Sequence, residues 1–272
     1  MQHREFAPSS ALQDIIKCFW YDKKDFGEQP SDLEIVPDGY AEIVFYFGSP
    51  CSISYQGILQ PLPSPCLMGL LNQPVILNTK NHLEIIGIRC FPWTVFDLLG
   101  IPSDKNGVRM LEHPIAQLQS TLNKYLEVDR IEEAVAQVEQ YFLNAKSRIA
   151  TDTMLFKAGV AMQETNGSMP VNQVASAAHA TVRTLERKFN QSSGYTVKDV
   201  SGLMRFEKVR NQLWLDPNTN LAGLAHELGY TDQSHLSREF KRYSGTTPAA
   251  FARKAKKGKQ MVSNNFVAFV QT

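Results

Sequence analysis

The stretch LAGLAHELGYTDQSHLSREFKRYSGTTP, Leu221 to Pro248, sets apolar residues at helical spacing on either side of a glycine. Leu221, Leu224, Ala225 and Leu228 predict one short amphipathic helix. Gly229 follows, where the chain must turn with positive φ. Leu236, Phe240 and Tyr243 then repeat the spacing, while Ser234, His235, Ser237, Arg238, Lys241 and Arg242 fall largely on the rest of the second helix. A short helix, a tight turn and a second helix with a polar, basic outer face form the helix-turn-helix pattern that lays its second helix in a DNA major groove.

The pattern also occurs about fifty residues earlier, and an internal repeat is more telling than either copy. Val171, Val174, Ala175 and Ala178 make an apolar face, His179 and Ala180 a turn, and Thr181 opens a second helix carrying Val182, Arg183, Leu185, Glu186, Arg187, Lys188 and Phe189. The copies align Leu185 with Leu236, Arg187 with Arg238, Phe189 with Phe240 and Gly194 with Gly245. Thr196 and Thr246 follow those glycines and suit N-caps of the next helices, which Asp199 and Ala249 open. Between the motifs, Val200, Leu203, Met204, Val209 and Leu213 predict one linker helix from about Val197 to Leu215.

Over residues 155–254 these spacings resemble the double helix-turn-helix domain of the AraC/XylS family of transcription regulators. The resemblance rests on Ala175 and Ala178; Thr181, Leu185, Arg187 and Phe189; Gly194, Arg205 and Leu213; Leu224 and Ala225; Gly229, Tyr230, Asp232, Ser234, His235, Leu236, Ser237, Arg238, Phe240 and Lys241; and Gly245, Thr247, Pro248 and Phe251. The first copy departs twice. His179 stands at the usual turn glycine, which calls for a left-handed residue there. Val197 replaces a proline that would restrict φ at the first helical position.

The resemblance implies a cytoplasmic bacterial transcription factor, not an enzyme, that reads double-stranded DNA and has no cofactor. Its two recognition helices would enter successive major grooves about one helical turn, roughly 34 Å, apart. Base contacts are expected from Arg183, Glu186, Arg187, Gln233, Ser234, His235 and Arg238, since Arg can donate twice to guanine and Glu can accept from cytosine. Arg183 and Glu186 have an alternative as an i,i+3 ion pair, and Arg187 and Arg238 as framework or phosphate-binding residues. Phosphate contacts are expected from Thr181, Lys188, Lys198, Arg205, Lys208, Lys241 and Arg242, with packing as the alternative for Arg205. RNA polymerase, a small effector and a second copy of the chain are further candidate partners.

The formal net charge of +1 conceals two opposed halves, −6 over residues 1–150 and +7 over 151–272. A basic second half suits phosphate attraction, and an acidic first half does not. No apolar run is long enough to span a bilayer, and the N-terminus lacks a signal peptide's apolar segment.

Residues 1–120 predict a β-rich domain built as a small barrel or sandwich, and the resemblance implies that it binds an effector. Ser10–Trp20 is a short helix or strand. Leu33–Val36, Ala41–Phe47, Ile53–Tyr55, Cys66–Gly69, Val75–Asn78 and Leu83–Cys90 are strands, and Thr94–Leu99 and Ile115–Leu118 short helices. Residues 121–150 predict a helical linker whose face of Leu122, Leu126, Ile131, Val135, Val138 and Phe142 either pairs two copies or packs on its own chain. Residues 151–254 hold the DNA-binding domain, and 255–272 a basic linker and a short apolar tail. The whole is an α+β chain ending in an all-α domain.

An effector pocket would draw on Trp20, Tyr40, Phe45, Phe47, Arg89 and Trp93, although strand aromatics also serve as core. Cys18, Cys51, Cys66 and Cys90 form no closely spaced pair, which favours buried thiols over a disulfide framework, zinc site or redox sensor. That spacing also speaks against a repair methyltransferase of the Ada type, whose zinc-bound cysteine acceptor needs close ligand pairs. The histidines form no ligand cluster, so no metal is expected. Control by a protein partner without a small ligand is the second functional reading.

Overall fold

Branched and aromatic residues alternating with period two make the first domain, and apolar residues at helical spacing make the second. A computed structural model of the chain describes residues 2–28, 31–55, 57–101, 107–146 and 152–260. The expected domain boundary near residue 150 and the apolar tail at 261–272 lie outside the described residues.

The strands are β1 (Gln2–Phe6), β2 (Ile16–Asp25), β3 (Ser31–Ile35), β4 (Ala41–Gly48), β5 (Ser52–Tyr55), β6 (Ile58–Pro61), β7 (Cys66–Met68), β8 (Val75–Thr79), β9 (His82–Cys90) and β10 (Val108–Met110). They form two antiparallel sheets, one ordered β1-β2-β9-β4-β7-β10 and one ordered β3-β8-β5-β6. Ser10–Trp20 resolves into a turn followed by strand β2. Alternation along β4 sends Ile43, Phe45 and Phe47 to one side of the large sheet and Val44 and Tyr46 to the other. Val44, Trp20, Met68 and Ile85 meet Ile53, Val75 and Leu77 of the small sheet, so the interior between the sheets is filled by side chains.

The opposite side of the large sheet is covered by helices α1 (Val95–Leu99), α2 (Leu118–Glu127) and α3 (Ile131–Lys146). Leu122, Leu126, Ile131, Val135, Val138 and Phe142 are all buried there against Phe45, Phe47 and Ile86. The apolar face that offered a dimer seam is therefore part of the first domain's own core. These residues lie on one side of α2 and α3 because each helix repeats its apolar residues with the 3.6-residue period.

The second domain comprises α4 (Thr153–Glu164), α5 (Val171–Ala177), α6 (Val182–Ser193), α7 (Val197–Leu215), α8 (Leu221–Glu227), α9 (Gln233–Ser244) and α10 (Pro248–Gln260). Helix α10 runs through the beginning of the segment expected to be a basic linker. Leu185, Phe189, Leu203, Phe206, Leu236, Phe240 and Phe251 share one core, and Leu70, Phe91 and Trp93 of the first domain belong to it as well. Among the described residues no helix is long and apolar enough to cross a membrane.

Candidate nucleic-acid interface

Each motif is shaped by local chemistry that the two copies share. The turn between α5 and α6 places His179 at φ 53°, and the turn between α8 and α9 places Gly229 at φ 70°. The left-handed residue that the first copy required is thus a histidine. Thr181 caps α6 by accepting from the Thr184 N–H, and Asp232 caps α9 by accepting from the His235 N–H at 2.7 Å. Both recognition helices end on left-handed glycines, Gly194 at φ 76° and Gly245 at φ 69°.

The next helix starts in the expected register in the first copy but not in the second. Thr196 forms a capping box with Asp199 at the start of α7. The matching role at α10 falls to Thr247, which accepts from the Ala250 N–H, and not to Thr246. The structure also explains how the first copy accommodates Val197 in place of proline. Valine carries an N–H that proline lacks, and the Glu186 carboxylate accepts from it at 3.2 Å. Glu186 therefore helps to close the start of α7, a role that the sequence reading had not given it.

Arg183, Arg187, Gln233, Ser234 and Arg238 stand exposed on α6 and α9. His235 is half-buried with its ring edge against Tyr230, centroids 5.3 Å apart. Of the expected phosphate residues, Thr181, Lys198, Lys241 and Arg242 are exposed. Lys188 pairs with Asp152 at 2.8 Å, which ties α6 to the cap of α4. Arg205 is an internal residue. It donates to the Gly167 carbonyl at 2.8 Å and to both Glu239 oxygens, and its guanidinium lies 5.0 Å from the Tyr230 ring centre. These contacts join α7 to α9 and match the packing alternative for this residue.

A cavity of about 690 Å³ lies where the two domains meet. Gln13, Lys17, Tyr40, Phe91 and Trp93 line it from the first domain, and Gln163, Asn166, Met204, Glu207, Lys208 and Asn211 from the second. Lys208, one of the expected phosphate residues, thus lines the cavity shared with the first domain. Only Tyr40 and Trp93 of the expected effector residues line this cavity. Phe45 and Phe47 belong to the core beneath the helices, and Trp20 packs between the sheets on Gly87, where a Cβ would come within 1.9 Å of its ring. Arg89 is 2 % exposed and held by Asp38 at 3.2 Å and Glu42 at 2.8 Å. Strand alternation alone could not separate these cases, because core and pocket aromatics obey the same period.

A family model described as a helix-turn-helix domain matches residues 174–254, and its span takes in both recognition helices. Residues 174–254 thus form an AraC-type helix-turn-helix domain. A second model, described as a domain of unknown function (DUF6597), matches residues 4–107. No curated protein matches it. Among solved structures, unsaturated fatty acid-bound ToxT from Vibrio cholerae is 10 % identical with a TM-score of 0.49, covering 86 % of this chain and 94 % of its own. The DNA-binding domain of AdpA in complex with a target DNA is 19 % identical with a TM-score of 0.37, covering 41 % and 99 %. The C-terminal domain of AraT, a response regulator from Geobacillus stearothermophilus, is 21 % identical with a TM-score of 0.35, covering 37 % and 84 %.

Cys18, Cys51, Cys66 and Cys90 are buried and form no disulfide. Burial pushes the Cys66 thiol up to about 12 and raises Cys51 and Cys90 as well, so these thiols stay protonated and unreactive.

Proposed function

We propose that α6 and α9 enter successive major grooves on one face of double-stranded DNA, and that a small effector held between the domains governs this binding. The observation that carries the reading is the matched pair of capped, arginine-bearing helices joined by α7. Its 19 residues extend about 28 Å at 1.5 Å per residue, close to the roughly 34 Å between successive major grooves on one face. Arg183 and Arg187 on α6, and Ser234 and Arg238 on α9, are four residues apart and share an exposed face in each helix. These are the base-reading residues, with Gln233 at the start of α9. Thr181, Lys198, Lys241 and Arg242 hold phosphates.

Selection of bound sequences from random duplex DNA tests the first part. Two preferred blocks about 10 base pairs apart are expected; a single block, or no preference, overturns the two-groove reading. For the effector, the cavity supplies amides, an aromatic wall and charges of both signs from both domains. A compound that changes operator affinity should raise the Tm of the wild type and lose that effect in Gln13→Trp, which fills the cavity from its exposed rim. Equal stabilisation of both proteins places the effector elsewhere.

A further inference from the structure

Aromatic side chains lead from the interdomain cavity into the core under the first recognition helix. The Tyr40 ring lines the cavity and lies 6.0 Å from Phe91. Phe91 stacks on Trp93 with centroids 5.2 Å apart and planes 12° apart, and Trp93 reaches Phe189 of α6 at 6.1 Å. Trp93 comes from the first domain but is buried in the core of the second. Its ring occupies the space over Gly159 of α4, where a Cβ would stand 2.3 Å away. The indole Nε1 is buried with no hydrogen-bond partner among the described residues, so packing alone orients the ring.

Main-chain contacts reinforce this insertion. Ser192, at the end of α6, donates to the Trp93 carbonyl, and the Tyr195 hydroxyl donates to the Leu70 carbonyl at 2.7 Å. The second copy has neither hook. Its matching residues are Tyr243 and Thr246, and Tyr243 packs on Phe206 within its own domain at 5.4 Å. Phe240, the counterpart of Phe189, is likewise surrounded by Phe206 and Phe251 of the second domain. The core around Phe189 is therefore completed by the first domain, whereas the core around Phe240 is completed by its own.

We propose that Trp93 is a positioning residue for DNA readout, through which the first domain and its cavity set α6 while leaving α9 alone. The proposal rests on the two-groove reading above and specifies how control would be distributed between the two grooves. A ligand that shifts Tyr40 or Phe91 would move the ring that supports Phe189, so the block of operator read by α6 would respond and the other would not.

The full chain and its selected operator provide the test. Arg183→Ala identifies the block read by α6, because discrimination is lost there. The penalty for scrambling each block is then measured in the wild type, in Trp93→Ala, and in the milder double variant Ser192→Ala with Tyr195→Phe. In both variants the penalty at the α6 block should fall about tenfold while that at the α9 block stays within about twofold, a coupling of ordinary allosteric size. Equal losses at both blocks, or no change at either, overturn the proposal. If Trp93→Ala does not fold, the double variant decides by the same two penalties. A wild type with one block refutes the two-groove reading; a wild type with two blocks and a symmetric variant refutes the positioning role alone.

Discussion

The indole of Trp93 stands in the place that a side chain on Gly159 would occupy, with the nearest ring atom 2.3 Å from an ideal Cβ. Gly159→Ala therefore overpacks the joint between the domains and is expected to destabilise the protein by about 1–3 kcal/mol. Combining it with Trp93→Ala should cost less than the sum of the two single changes, because the alanine then fills space the indole has left. Urea unfolding of the four proteins measures the coupling; strict additivity would show that the two residues do not share a site.

Arg205 gives a contrast with the surface cations. Removing it leaves Glu239, 14 % exposed, without the guanidinium that faces it. Arg205→Ala should cost roughly 3 kcal/mol of stability, as for other broken buried pairs, while the salt dependence of DNA binding stays as in the wild type. A reduced salt slope with unchanged stability would return Arg205 to the phosphate contacts.

Arg238 and Lys241 should part company in DNA titrations. Arg238→Ala is expected to weaken operator binding by about 1–3 kcal/mol and to relax preference at one base position. Lys241→Ala should lower the slope of log K against log salt by about 0.9 with preference intact. Equal binding of Arg238→Ala to operators that differ only at that position supports the assignment; an unchanged ranking removes it.

His179 adopts φ 53° at the turn of the first motif. A left-handed conformation costs an L-residue roughly 1–2 kcal/mol, against a smaller entropic penalty for glycine in the unfolded chain. His179→Gly should thus stabilise the protein by about 1 kcal/mol, read as a higher urea midpoint with an unchanged m-value. A lower midpoint would mean that the imidazole makes a favourable contact exceeding the backbone strain.

Stability should also depend on Glu207, in the wall of the cavity. Burial pushes its carboxyl from the ordinary 4.5 up to about 7, with Asp38 adding to the rise and Arg210, Arg89 and Lys17 opposing it. Between those pH values the folded protein keeps a proton that the unfolded chain releases. The stability contributed by that proton is present at acid pH and is lost as pH rises to about 7. Glu207→Gln should flatten the fall in Tm between pH 5 and 7. The fall should not vanish, because burial raises the Glu42 carboxyl as well. An undiminished slope in the variant would exclude Glu207 as its source.

Much of the candidate interface was legible because its signals are local. Helical spacing located α6 and α9, and the offset between copies marked their glycine ends. The threonine after Gly245 was displaced by one position, since two adjacent threonines satisfy the pattern and only the bond to Ala250 selects Thr247. Glu186 was incompletely read for a related reason. An acidic residue on the outer face of a recognition helix looks available to cytosine, and only the fold brings the free N–H of Val197, eleven residues away, to engage it.

Periodicity and turn chemistry, acting over three or four residues, were sufficient for the two motifs, the linker helix and the β-rich first domain. Folding settled the matters that depend on partners far apart in the chain. Arg205 was directed inward by Glu239; Trp20, Phe45 and Phe47 were consigned to core; and the cavity arose where Lys17 and Tyr40 meet Glu207 and Lys208. The insertion of Trp93 beside Phe189 joins residues nearly a hundred positions apart. Such contacts depend on shape and burial across domains, and no local spacing encodes them.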